Sequence, residues 1–82
     1  MDLVSLTETL VKFLVKEPDM VSVKQFENDD EDNIVIQVLV SSDDMGAVIG
    51  RSGKIANAIR TIVQASAYNN NLKYVKINID SF

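Results

Sequence analysis

The chain contains no cysteine and no histidine. The first absence excludes disulfide bonds and thiolate zinc sites, and the two together exclude Cys and His nucleophiles and His general-base catalysis. Most familiar enzyme sites are therefore ruled out. The sequence predicts a protein without catalytic residues, bound metal or cofactor.

Long apolar runs are also missing, and the N-terminus begins Met1-Asp2 without the basic and apolar regions of a signal peptide. These features predict no membrane insertion and a cytoplasmic location. The length of 82 residues is below the usual size of about 100 to 150 for a domain, which leaves room for one small core. We therefore expect a single domain over residues 1–82.

Charge is unevenly distributed along a chain whose net charge is −4. Residues 1–42 carry three basic and nine acidic side chains, whereas residues 43–82 carry five basic and three acidic ones. The second half is the better candidate for contact with an anion. A sequence pI near 4.5 argues against a broad basic surface, so any contact with nucleic acid must be local.

The first half of the sequence predicts one helix and two strands. Apolar residues at helical spacing indicate a helix over residues 2–16, ended by Pro18, and we interpret its apolar stripe as core rather than as a partner surface. The pattern Ser5-x-x-Glu8 has two interpretations: it forms a capping box at the start of this helix, or it lies inside the first turns. Strands over 21–26 and 34–40 flank an acidic turn, and the second is apolar on both faces, which is typical of a covered strand.

The second half predicts two helices and a strand. Ser41-Ser42-Asp43-Asp44 supplies N-cap oxygens for a short helix over 43–49 that Gly50 stops, and a longer helix follows Gly53 to about Tyr68. A strand over 72–80 buries mainly Val75, Ile77 and Ile79. The order α-β-β-α-α-β, in which the last strand returns to the sheet after two helices, predicts a two-layer α+β domain.

The segment Gly50-Arg51-Ser52-Gly53-Lys54 joins the two helices through a short loop. Its glycines permit backbone angles closed to other residues and leave no Cβ between the chain and a close ligand. The loop runs into a helix N-terminus, where unpaired N–H groups favour a phosphate, and Arg51 and Lys54 add positive charge. The alternative is a tight helix-helix turn in which Gly50 is only a C-terminal cap.

Spacing excludes three other motifs. A Walker A loop needs four residues between its first Gly and Gly-Lys-Ser/Thr, whereas Gly46 and Gly53 are further apart and Ile55 follows Lys54. A dinucleotide fingerprint needs a Gly where Val48 stands. The acidic run over 29–32 lacks the spaced ligands of an EF-hand, so we interpret it as a solvated turn.

The Asn run over residues 69–71 has two interpretations: it forms a simple turn, or its side chains contact a base edge.

Residues 48–63, with a strand and short helix before the Gly-x-x-Gly loop and a long helix and strand after it, resemble the K-homology (KH) RNA-binding domain. In that family the loop clamps about four single-stranded nucleotides. The leading helix and strand match the type II order, with a three-stranded sheet covered by helices. Asp44-Met45-Gly46 before the motif and Ala-Ile-Arg-Thr after it look like the small stand-alone bacterial KH proteins of the KhpA kind.

The resemblance implies binding of short single-stranded RNA, with roles in post-transcriptional regulation or as an RNA chaperone connected to cell division and cell-wall growth. Its partners would be a second copy, as a homodimer, or a Jag-like KH protein, as a heteromer. Because the motif contains no aromatic residue, we expect base contacts to be aliphatic and weak. The alternative function is a protein-interaction adaptor, which the acidic first half favours. The candidate RNA-binding residues are Ile49, Gly50, Arg51, Ser52, Gly53, Lys54, Asn57 and Arg60.

Overall fold

A computed structural model describes residues 2–27, 33–69 and 74–82, and in these ranges it has the predicted element order. Short 3₁₀ turns lie at Pro18–Met20, Ser42–Asp44 and Arg51–Gly53. The helices and strands are α1 (Leu3–Leu14), β1 (Ser22–Glu27), β2 (Asn33–Val40), α2 (Met45–Ile49), α3 (Lys54–Asn69) and β3 (Tyr74–Ser81).

The three strands form a mixed sheet in the order β1-β2-β3. The β1 and β2 strands are antiparallel, with Val23 opposite Val38, and β2 and β3 are parallel, with Ile36 opposite Ile77. The parallel pair requires a long crossover, which α2 and α3 provide. The result is the expected two-layer α+β architecture, with the central strand between two edge strands.

The helices cover one face of the sheet. Side chains alternate along β2, so Ile36 and Val38 on the helix side are fully buried, whereas Val35 and Leu39 on the opposite side are only half-buried and Gln37 is exposed. The apolar second face of this strand therefore reflects its central position between two neighbours rather than a second layer of helices. The hydrophobic core lies between this face of the sheet and the three helices. Its buried residues are Leu3, Val11, Ile34, Ile36, Val38, Val40, Val48, Ile59, Val63, Ala67, Val75 and Ile77.

Helix α1 begins at a cap that the sequence pattern did not indicate. The Asp2 carboxylate accepts a hydrogen bond of 2.7 Å from the Ser5 backbone N–H, so Asp2 is the N-cap and Ser5 lies inside the first turn. Hydrogen bonds from Ser5 lower the pKa of Asp2, because they favour its charged form. The Ser5-x-x-Glu8 pattern therefore takes the second of its two interpretations.

Helix α1 ends earlier than Pro18 alone would require. Val15 is already extended, with φ −95° and ψ 157°, and the next two backbone N–H groups donate to the buried carboxylate of Asp44. The Lys16 and Glu17 N–H groups each lie 3.1 Å from one of its oxygens. The run Ser41-Ser42-Asp43-Asp44 was expected to supply N-cap oxygens, but neither Ser41 before the 3₁₀ turn nor Asp44 before α2 makes a side-chain cap hydrogen bond. Asp44 instead holds the α1–β1 connection.

The other boundaries are close to expectation. Residues 42–49 form a 3₁₀ turn followed by α2 rather than one continuous helix, and the described part of the last strand begins at Tyr74. Ile79 is only half-buried, unlike Val75 and Ile77. The acidic run over 29–32, interpreted above as a turn, and residues 70–71 of the Asn run lie outside the described residues.

Asp44→Ala should destabilise the fold strongly. The substitution leaves the Lys16 and Glu17 N–H groups without their carboxylate partner, at an expected cost of about 2 to 4 kcal/mol in the free energy of unfolding. Asp43→Ala, at the exposed neighbour in the same turn, is the matched control and should change stability by less than about 0.5 kcal/mol. Urea denaturation followed by circular dichroism measures both, and equal effects would contradict this role for Asp44.

Candidate nucleic-acid interface

The loop between α2 and α3 has a left-handed backbone at three of its four residues. The φ angles of Gly50, Ser52 and Gly53 are 76°, 57° and 75°. The Gly50 N–H closes α2 by donating to Gly46 O at 2.9 Å, as predicted for a helix stop, and the Gly53 N–H donates to Gly50 O at 3.2 Å. These turns connect α2 to α3 within four residues, and Arg51 and Ser52 between the glycines are exposed.

The two glycines are required for different reasons. At Gly50 an added Cβ would lie 2.6 Å from Ile55 Cγ1 and 2.9 Å from Ile55 Cβ, which is inside van der Waals contact. At Gly53 the nearest atom to an added Cβ is Asn57 Nδ2, 4.0 Å away, so only the positive φ favours glycine there. Gly50 therefore lets α3 approach the end of α2, and Gly53 leaves open space beside the loop.

Positive charge is exposed at this point. Arg51 and Ser52 at the tip are exposed, and so is Lys54, the first residue of α3. The Gly53 and Lys54 N–H groups are already used inside the loop, by Gly50 O and Arg51 O, but the sixteen-residue helix α3 still presents its positive dipole end here. The helix dipole, Arg51 and Lys54 together give this part of the surface a positive potential, which suits a phosphate group.

A groove of about 640 Å³ lies between α3 and the outer edge of β3. Two α3 side chains bridge the two elements: the Val75 N–H donates to Gln64 Oε1 at 2.9 Å, and Arg60 Nε and Nη2 both donate to Ile77 O at 3.4 Å. The residues lining the groove are Arg60, Thr61, Gln64, Ala65, Tyr68, Tyr74, Val75, Lys76, Ile77 and Asn78.

The candidate residues divide into two groups. Residues 50–54 are together in the loop and the first turn of α3, with half-buried Ile49 just before them. Arg60 is two turns further on and lines the α3–β3 groove, where its Nη1 also donates to Asn57 Oδ1 at 3.2 Å. Asn57 thus connects the loop end of α3 to the groove, and Arg60 belongs to the groove rather than to the loop.

Sequence reasoning missed the aromatic residues of the groove. Tyr68 near the end of α3 and Tyr74 at the start of β3 both line it, although no aromatic residue lies in the loop motif. The signal was hidden because the two residues lie on different elements. An argument from the parallel pairing of β3 with β2, which brings Tyr74 next to α3, could have identified the two tyrosines as neighbours of one groove.

A second, apolar groove of about 350 Å³ lies between α1 and α3. It is lined by Thr9, Leu10, Phe13, Leu14, Lys54, Ile55, Ala58, Ile59 and Ile62. Phe13 is 90% exposed and Ile62 47% exposed, so the apolar stripes of the two helices are not entirely core. The interpretation of the α1 stripe as core holds for Leu3 and Val11 but not for Phe13.

A two-layer α+β fold in which a Gly-x-x-Gly loop joins two helices between parallel strands defines a type II KH domain. Residues 4–79 match the family described as "KhpA/KhpB, KH domain". The chain belongs to this family, which is defined by a KH domain and not by an enzyme activity.

The sequence is similar to two proteins named "RNA-binding protein KhpA". The protein of Clostridium perfringens is 44% identical over 70 residues, covering 85% of this chain and 91% of its own length. The protein of Treponema pallidum is 35% identical over 82 residues, covering 95% of this chain and all of its own length.

The fold is also similar to part of Era. A crystal structure of Aquifex aeolicus Era bound to GDP.AlF4- superposes with a TM-score of 0.69 at 16% identity, covering 98% of this chain and 30% of the Era chain. A structure of Era in complex with MgGDPNP and nucleotides 1506-1542 of 16S ribosomal RNA gives a TM-score of 0.68 at 17% identity, with 96% and 29% covered. At this identity the likeness concerns the fold alone.

No helix in the described ranges has the length and apolarity of a membrane span.

Gly50→Ala should destabilise the protein more than Gly53→Ala. We expect about 1 to 2 kcal/mol for Gly53→Ala from its positive φ alone, and at least about 3 kcal/mol for Gly50→Ala, where the Ile55 contact adds to the backbone strain. Urea denaturation gives both values. In an Ile55→Ala background the cost of Gly50→Ala should fall, because the Cγ1 and Cδ1 atoms are gone; an unchanged cost would refute the steric explanation.

Proposed function

We propose that this protein binds short single-stranded RNA, with the loop over 50–54 holding phosphates and the α3–β3 groove receiving bases. The observation that carries the proposal is the left-handed Gly-x-x-Gly loop, which exposes Arg51 and Lys54 at the N-terminus of a long helix. The names of the KhpA relatives support it, since each is called an RNA-binding protein. A KH loop of this kind clamps about four nucleotides.

The groove supports the proposal by its shape and charge. It is open along the edge of β3, and the basic side chains of Arg60 and Lys76 line it. Among the described residues that line it, none is acidic, although the whole chain carries a net charge of −4. A single strand can present unstacked bases to such a site, whereas a duplex keeps its bases paired and stacked.

In the cell, this activity would belong to the cytoplasm and act after transcription, as a regulator or as an RNA chaperone. One KH domain contacts only about four nucleotides, which limits its affinity for RNA. A second KH domain held nearby would bind the same RNA strand at a high effective concentration, and the pair would bind more tightly than either domain alone. We therefore place the protein in an assembly with another KH domain.

Arg51→Asp combined with Ser52→Asp should abolish RNA binding without unfolding the protein. Both side chains are exposed at the loop tip, and the substitution puts two carboxylates against the RNA backbone while it keeps both glycines. Fluorescence anisotropy with a labelled single-stranded octanucleotide measures the affinity, and circular dichroism checks the fold.

Lys24→Asp combined with Gln25→Asp is the matched control. It makes the same change in charge at two exposed residues of β1, on the far edge of the sheet from β3. The control should weaken binding less than about threefold, as a long-range charge effect is screened at physiological salt. Full affinity in the folded loop variant, or equal losses in both variants, would rule out the loop as the RNA clamp.

The apolar α1–α3 groove favours pairing with a second copy of this chain. Phe13 projects from the rim of the groove, with 90% of its surface exposed, so the same face carries a protruding ring and an apolar depression. A twofold interface joins identical patches, which lets each copy insert its Phe13 into the depression of the other. Such pairing leaves the α3–β3 groove open for RNA, and Lys54, which lines the apolar groove as well, lies beside the interface.

Phe13→Asp should convert the dimer to a monomer. The side chain is exposed, so the monomer fold should be retained, while a carboxylate in an apolar interface is costly. Sedimentation velocity measures the mass, with Phe26→Asp, at a ring 50% exposed on β1, as the control that stays dimeric. A wild-type chain that stays monomeric at high concentration would contradict self-pairing. A wild-type chain that binds a protein partner but no RNA would favour the adaptor function.

A further inference from the structure

The α3–β3 groove ends between two exposed tyrosines. Tyr68 is 61% exposed on the last turns of α3, and Tyr74 is 52% exposed at the first residue of β3; both line the groove. Large aromatic side chains that remain more than half exposed contribute little to the core. Their rings are instead available to a ligand in the groove.

The bridge between α3 and β3 holds together the two elements that carry these rings. Gln64 receives the hydrogen bond of the Val75 N–H, immediately after Tyr74, at 2.9 Å. Tyr68 lies four residues beyond Gln64, which places it on the same face of α3, one turn further along. Tyr68 on α3 and Tyr74 on β3 therefore line the same end of the groove, here called the slot, on two elements that the bridge holds together.

This slot is at the opposite end of α3 from the loop. Tyr68 is fourteen residues after Lys54, which corresponds to about 21 Å along the helix. Arg60 lines the groove between these two ends, and Lys76 lines it on the β3 side. A chain of phosphates that starts at the loop can continue past positive charge to the tyrosines.

We propose that Tyr68 and Tyr74 form a stacking site for one or two bases of single-stranded RNA, at the end of the groove remote from the Gly-x-x-Gly loop. This inference rests on the proposed RNA-binding function and adds a contact that the loop motif does not supply. Every base has a π face, so stacking tolerates sequence and strengthens binding without selecting one base. Binding by this domain is then stronger than aliphatic contacts alone would give.

The composition makes the site directly observable. The chain has no tryptophan and only two tyrosines, so with excitation at a wavelength that phenylalanine does not absorb its intrinsic fluorescence comes from Tyr68 and Tyr74 alone. A single-stranded octauridylate should quench this emission in a saturable titration, and Tyr68→Phe and Tyr74→Phe variants should each show quenching of the remaining tyrosine. Free tyrosine amide, titrated in parallel, corrects for absorption by the RNA.

Affinity separates stacking from loss of packing. Tyr68→Leu and Tyr74→Leu should each weaken octauridylate binding by about 5- to 100-fold, whereas the Phe variants, which keep the ring, should stay within about twofold of wild type. Phe26→Leu, an exposed aromatic on the opposite edge strand, should leave affinity unchanged. Circular dichroism confirms that the variants fold.

The outcomes distinguish this site from the RNA-binding function itself. If the wild type binds RNA, and the loop variant does not, but the Leu variants bind normally and the emission is not quenched, the stacking site is refuted and the proposed function stands. If the wild type binds no RNA at all, both fail. Equal losses in the Leu and Phe variants would also refute stacking, because they would assign the effect to the hydroxyl groups.

Discussion

The loop and the placement of α3 depend on one steric constraint at residue 50. The backbone there has φ 76° and ψ 173°, and any Cβ would meet the Ile55 side chain at 2.6 Å. Glycine alone allows α2 to end and α3 to begin so close to it. Because Ile55 packs against the core, the constraint connects the core to the loop, and the tip with Arg51 is pushed outward into solvent.

The groove depends on a second kind of contact, in which side chains of the helix layer bond to the backbone of an edge strand. The outer edge of β3 would otherwise offer its N–H and C=O groups to another strand. Gln64 and Arg60 take the Val75 N–H and the Ile77 carbonyl, and in doing so they hold α3 beside the edge. These contacts thus occupy two of the edge groups that an added strand would use, and they bridge the two sides of the groove.

The sequence predicted the elements well where one physical signal dominated. Helical spacing and β-branched runs located α1, α3 and β2 within a few residues, and Gly50 stopped α2 as expected. Such local signals could not predict contacts between distant segments. Asp44 accepts hydrogen bonds from Lys16 and Glu17, and Tyr68 and Tyr74 line one groove only because β3 pairs beside α3. Periodicity also could not tell that Phe13, on an apolar stripe, projects into solvent.

The acidic composition is compatible with RNA binding because the fold separates charges that the sequence mixes. Asp44 is close to the loop in sequence, but it is buried, and both of its carboxylate oxygens accept hydrogen bonds from backbone N–H groups. It therefore does not present its charge to a ligand at the loop. Arg51 and Lys54 are exposed at the loop, and the described lining of the groove has basic but no acidic side chains. At physiological salt a charge more than about 8 Å away is largely screened. A phosphate at the loop therefore responds to its few neighbours and not to the net charge of −4.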